Sequence, residues 1–300
     1  MTKNKAVSIR QRLLNLAKER QENFDYVLRQ YVIQRLLYRL SVSDYCEQFL
    51  LKGAMLFWVW NQNMHRPTRD IDLLGFGRND KEALARIFMS VITISENDGL
   101  YFDDQNIQVW DIKEDTKYQG VRISGHAILD RARIPFQIDI GFGDAVVPAS
   151  EMIELISFLD LPAAHIGAYP VYTVIAEKFQ AMVELGFVNS RLKDFFDIWI
   201  IASQFELDGR ILVDAISATF ARRETDVSLQ QLNIFSESFK QDEQKNVQWN
   251  AFLRKNHLSV NESFSEVLTA IEGFILPPYK HLSNQQDFAP QWKSKLWTWK

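Results

Sequence analysis

The sequence predicts an α+β protein, in which a small mixed or antiparallel sheet with flanking helices is followed by an all-helical C-terminal domain. Three observations lead there. Apolar residues recur at helical spacing through residues 8–40, short segments between 49 and 159 alternate apolar and polar positions, and only helical patterns remain beyond about residue 165. The change of character falls within 160–170, giving expected domains of 1–165 and 166–300.

Leu13, Leu14, Leu16 and Ala17, then Val27, Leu28, Tyr31, Val32, Leu36, Leu37 and Leu40, form two helical stripes with a break near Glu22 to Asp25. Phe49-Leu50-Leu51 reads as a short buried strand ending at Gly53. Ala54 to about Trp60 reads as a helix whose first N–H groups face whatever lies beside that glycine. A loop over Asn61 to Thr68, holding Pro67, leads to a strand at 69–74; Gly75 and Gly77 end it, and Asp80 to Ile94 has an amphipathic helical pattern. Residues 107–113, 119–129 and 134–140 alternate as antiparallel strands do, and one more strand is expected at 154–159. Helices are predicted over Val171–Leu185, Arg191–Ser203, Gly209–Phe220 and Val260–Phe274, with Pro277-Pro278 ending the last and an irregular tail beyond.

Composition excludes several classes. At 300 residues, 47% hydrophobic and 24% charged, the chain has the make-up of a globular protein with ample core. No apolar run approaches the roughly 18 residues of a membrane span, and the N-terminus lacks a signal-peptide core, so a cytoplasmic location is expected. A single cysteine, Cys46, rules out an intrachain disulfide or a cysteine metal cluster, and reads as a structural thiol. The net charge of -4 argues against binding nucleic acid by overall charge, although a local basic face is compatible with it. His65, His126, His165, His257 and His281 form no ligand-spaced pair, and neither a dinucleotide fingerprint nor a Walker sequence is present. Trp292, Trp297 and Trp299, interleaved with Lys293, Lys295 and Lys300, read as docked on the core rather than as a base-stacking platform.

Two constellations carry chemistry. In Arg69-Asp70-Ile71-Asp72-Leu73-Leu74-Gly75, strand alternation projects Asp70 and Asp72 together while Ile71 and Leu73 enter the core. Like charges so close repel unless a cation lies between them, and oxygen-only ligation suits Mg²⁺ carrying a substrate's phosphates. The bland alternative is a pair of exposed strand-end carboxylates. Asp139, beside Gln137 and opposite Phe136, Ile138 and Ile140, adds a third carboxylate from another strand, enough for two divalent ions. The second constellation is Lys178 on one helix and Ser190-Arg191 with Asp194 and Asp197 at the start of the next, Ser190 being the expected N-cap. It is either an ordinary set of helical salt bridges or the cationic part of a phosphoryl-transfer site.

LLKGAMLF, RPTRDIDLLGFG, FQIDIGFGD and AEKFQAMVELG with NSRLKDFFDIW, in that order over about residues 30–205, resemble the AbiEii/AbiGii nucleotidyltransferase toxin family. That resemblance implies a DNA-polymerase-β-like nucleotidyltransferase domain followed by helices. It implies Mg²⁺ or Mn²⁺ on Asp70, Asp72 and Asp139, and an NTP contacted by Gly53, Ala54, Arg69, Lys178, Ser190, Arg191 and Asp197. Asp70, Asp72, Asp139, Lys178 and Asp194 would form the catalytic set. Many relatives have Gly-Gly or Gly-Ser where this chain has Gly53-Ala54, so a hydroxyl would be missing here and only the N–H kept. The resemblance further implies a toxin-antitoxin or phage-defence role, an RNA acceptor such as tRNA, and a cognate antitoxin. A small-molecule or protein acceptor, or a decayed nucleotide-binding module, is the alternative.

Overall fold

A computed structural model describes residues 3–61, 66–115, 118–229 and 232–300. His65 and part of the expected 61–68 loop lie outside them. The chain forms two compact units, Met1–Gly143 with Glu151–Ala168, and Asp144–Ser150 with Tyr169–Lys300.

The first unit opens with α1 (Lys3–Arg20) and α2 (Phe24–Ser41), the break expected between them closed by Asn23, whose side-chain oxygen accepts the Tyr26 N–H. Next come β1 (Phe49–Lys52), α3 (Met55–Asn61), β2 (Ile71–Gly75) and α4 (Lys81–Ile92), the last capped by Asp80. β3 (Leu100–Phe102), β4 (Gln108–Asp115), β5 (Tyr118–Leu129), β6 (Ala132–Phe142), β7 (Glu151–Leu155) and β8 (Ala164–Ala168) complete the unit. The strands lie in the order β3-β5-β6-β2-β1-β8-β7, with β4 also on β5. β2 runs parallel to β6 and β1 to β8; the other pairs are antiparallel.

Alternation decides the two faces. Val121, Ile123, Ala127 and Leu129 of β5 and Ile134, Phe136, Ile138 and Ile140 of β6 are buried, on the side where α2 packs. Each of these valine, leucine, isoleucine and phenylalanine side chains contributes roughly 1.5–3 kcal/mol when fully buried. Arg122, Ser124, Gln137 and Asp139 stand on the opposite face, partly open.

The structure corrects the expected strand at 154–159, which ends at Leu155. Leu159 and Asp160 have positive φ, 63° and 54°, and the Phe158 N–H donates to the Gln34 side chain at 2.9 Å, so this backbone leaves the ladder. β8, which was not expected, returns beside it.

The second unit contains α5 (Val171–Leu185), α6 (Leu192–Gln204), β9 (Leu207–Asp208), α7 (Gly209–Arg222), α8 (Glu237–Lys240), α9 (Glu243–Lys255), α10 (Phe264–Ser283), β10 (Gln291–Lys293) and β11 (Thr298–Trp299). Asp144–Ser150 folds with these helices, the Asp144 carboxylate 3.0 Å from Arg223 and the Val147 backbone bonded both ways to the Thr173 hydroxyl.

Two further expectations fail here. Pro277-Pro278 does not end α10, which continues to Ser283. Pro278 cannot donate to the Phe274 carbonyl, and that carbonyl instead accepts the Trp299 indole N–H at 2.9 Å. The tail is not irregular: β9, β10 and β11 form a small sheet, and Trp292 is buried with its N–H on the Ala202 carbonyl.

Candidate active site

The strand register builds the first constellation. Lys52, Asp72, Asp139 and Arg122 are successive partners across β1, β2, β6 and β5, so they form one row on one face of the sheet. Strands lie about 4.8 Å apart, which makes Asp72 and Asp139 close neighbours of like charge. Arg122 answers part of that charge. Its Nε donates to Asp139 Oδ1 at 2.7 Å and its Nη2 to Oδ2 at 2.6 Å, while Gln137 Nε2 lies 3.3 and 3.4 Å from the same oxygens. The Asp139 bond, helped by the charges of Asp139, Asp70 and Asp72, holds the Arg122 guanidinium above its ordinary pKa against partial burial.

Gly53 explains the glycine that precedes them. It has φ of 75°, and a Cβ placed there would lie 2.0 Å from Asp72 Oδ2, so the carboxylate occupies the space a side chain would fill. Ala54 follows, buried, and Asp70 sits at the bend just before β2 rather than on the strand as expected, its carbonyl accepting from the Thr68 hydroxyl. Arg69 is exposed beside it.

Among the described residues, no group of three or more His, Cys, Asp or Glu side chains is arranged to hold a metal ion. The carboxylates of Asp70 and Asp72 are oxygen donors of the kind a hard divalent cation takes. Both Asp139 oxygens already accept from a guanidinium.

The second constellation lies wholly in the second unit. Lys178 Nζ is 2.9 Å from Asp194 Oδ1 and 2.7 Å from Asp197 Oδ2, and Arg191 Nε is 2.7 Å from Asp194 Oδ2. Both aspartates are 1% exposed, Lys178 12% and Arg191 44%, so only the arginine reaches far into solvent. Burial pushes the Asp194 carboxyl up, but the Lys178 and Arg191 charges outweigh it and hold it below the usual carboxylate range. Ser190 is not the N-cap. That position belongs to Arg191, whose N–H is taken by Asn189 Oδ1 at 2.8 Å, leaving Ser190 exposed. Lys245 pins the turn through the Asn189 carbonyl at 2.5 Å, a contact the sequence did not suggest.

Cys46 behaves as a structural thiol, its Sγ 3.7 Å from the His165 carbonyl and its pKa raised by burial and by Glu47. No described helix is long and apolar enough to cross a membrane.

Residues 35–270 match the sequence profile described as "Nucleotidyl transferase AbiEii toxin, Type IV TA system". The chain belongs to the AbiEii nucleotidyltransferase toxin family. It is thus a nucleotidyltransferase of a toxin-antitoxin family. Two solved structures from Helicobacter pylori share this AbiEii member's fold. JHP933 is 14% identical with a TM-score of 0.52, covering 87% of this chain and 94% of its own. A second, described as a candidate nucleotidyltransferase, is 14% identical with a TM-score of 0.51, covering 87% and 98%. No curated protein matches the chain.

Proposed function

We propose that this AbiEii-family chain transfers a nucleotide from an NTP to an RNA acceptor, tRNA in particular, releasing pyrophosphate, and that a cognate antitoxin opposes it. The observation that carries the catalytic part is the seating of Asp72 over Gly53, in a row with Asp139 and close enough to Asp70 for both charges to act on Arg122. Asp70 and Asp72 would hold Mg²⁺ or Mn²⁺. Such an ion neutralises phosphate charge and lowers the pKa of an attacking hydroxyl. Gly53, with no side chain of its own, lets the Asp72 carboxylate sit directly against the backbone there. Within the second unit, Asp194 and Asp197 fix the Lys178 ammonium in place, and Arg191 is the more exposed cation. RNA as acceptor rests on the family resemblance.

Incubating the chain with each labelled NTP, divalent ion and total cell RNA tests this reading, with label entering RNA as the expected result. Label entering protein or a small molecule would move the acceptor to that class, and NTP binding without transfer would mark a decayed module. Asp72→Asn is expected to lower transfer by at least about 100-fold while thermal unfolding stays unchanged. Retained transfer in that variant would remove Asp72 from the catalytic set.

A further inference from the structure

Arg122 belongs to none of the motifs that point to the site, yet it lies in the same row as Asp72 and Asp139. Its fork to Asp139 uses Nε and one edge of Nη2. A guanidinium has more donors than that fork consumes, and those on the Nη1 side point away from the carboxylate that holds the group. The side chain is 31% exposed and Asp139 12%, so the fork lies at an accessible surface. Asp139, for its part, receives Arg122 on both oxygens and Gln137 beside them, which leaves it poorly placed as an open metal ligand.

Resting on the nucleotidyltransferase reading, we infer that Arg122 is a substrate-binding residue of this centre, contacting the phosphates of the nucleoside triphosphate. Asp139 is the positioning residue that aims it and is not part of the metal set. The geometry supports each half. Asp72 and Asp139 are neighbours across a parallel strand pair, so an anionic substrate brought to Asp70 and Asp72 by a cation arrives one strand from Asp139 and two from Arg122, within about 10 Å. A triphosphate there meets excess negative charge unless a fixed cation faces it. A forked arginine supplies that cation without having to be ordered on binding, because Asp139 already holds it. The chemistry required is a phosphate oxygen, and the nucleotide is the occupant that the adjoining aspartates would bring.

Binding measurements on the full chain, without acceptor and so without turnover, test this. Mn²⁺ binding is followed by the electron paramagnetic resonance of the free ion, and ATP and adenosine binding by calorimetry with Mg²⁺ present. Arg122→Gln is expected to weaken ATP binding by about ten-fold or more and leave adenosine binding within about two-fold, with Arg122→Lys intermediate because it cannot fork. Asp139→Asn is expected to weaken ATP in the same direction and keep Mn²⁺ affinity within about two-fold, whereas Asp72→Asn loses about ten-fold or more in Mn²⁺ affinity. A ten-fold loss of Mn²⁺ affinity in Asp139→Asn, or tighter Mn²⁺ binding in Arg122→Gln, would show Asp139 to be a ligand with which Arg122 competes, and would overturn the inference. Unchanged ATP binding in both Arg122 variants overturns it also, while leaving the nucleotidyltransferase reading intact. A wild-type chain binding neither Mn²⁺ nor ATP overturns both. Far-ultraviolet circular dichroism checks that each variant is folded, and the lysine variant keeps the test open should the glutamine one not fold.

Discussion

The first unit contains two arginine-aspartate forks with the same chemistry and opposite surroundings. Around Asp98, Arg35 Nε lies at 3.1 Å and Arg39 Nη1 and Nη2 at 2.6 and 3.1 Å, and all three side chains are 1–2% exposed. Carbonyls take other donors: Pro162 from Arg35, and Ile94 and Arg35 from Arg39. Arg35 lies over the Tyr38 ring and Arg39 over Phe102. That fork joins α2 to the segment leading into β3, and its donors are spent inside the protein. The Arg122–Asp139 fork is more open and lies on the sheet face opposite the buried Ile123 and Ile138. Burial with carbonyls to hand spends every donor inside the protein, whereas the open fork keeps one edge of its guanidinium toward the surface.

The comparison can be broken most directly by deleting each acid. Asp98→Ala strands two buried guanidinium groups and is expected to cost about 3–5 kcal/mol, while Asp139→Asn, whose partner can turn to water, should cost about 1 kcal/mol or less. Urea unfolding of both variants beside the wild type measures this, and equal losses would show that the open fork is scaffold as well. Next in size is Gly53→Ala, where positive φ and the Asp72 carboxylate both oppose a methyl group. A loss of about 2–3 kcal/mol is expected, against about 1 kcal/mol for Gly77→Ala, which has φ of 88° but open space around it. The difference between the two glycine variants isolates the contact with Asp72. The smallest effect is on acid stability. Asp98 keeps a lowered pKa because the Arg39 bond and charge, the Leu100 N–H and Arg35 outweigh its burial, and Asp194 is likewise lowered. Their contributions are fully present above the unfolded carboxylate range near about pH 4 and are lost as pH falls through the lower folded values. Asp194→Asn should flatten the fall in stability measured between about pH 5 and pH 2.

Much of this was readable in advance. Period-two alternation identified the cores of β5 and β6, and the glycine, Asp-x-Asp and later aspartate fall side by side on the sheet. Arg122 carries no such mark, because a lone arginine in an alternating strand looks like any solvent-facing residue. A signal did exist: Asp130 and Arg131 form a two-residue turn, with Asp130 at φ 55°, and a hairpin closed there pairs Leu129 with Ala132 and therefore Arg122 with Asp139. The extension of α10 through its prolines had no such signal. It depends on an indole from residue 299 reaching a carbonyl at 274, and separation along the chain hides that. β8 is hidden for a related reason, since five residues between prolines become a strand only beside β1 and β7.

By itself, then, the sequence determined which residues alternate into the sheet's core, which segments wind as helices, and that the chain belongs to the AbiEii nucleotidyltransferase family. Periodicity and motif order are local properties, carried by neighbours along the chain. Only the tertiary structure decided what each charge meets: Asp139 an arginine on the adjacent strand, Lys178 two buried aspartates, Asp72 the bare face of Gly53. Electrostatic partnership falls off within a few ångströms of space, whatever the distance in sequence, and so register and packing settle it.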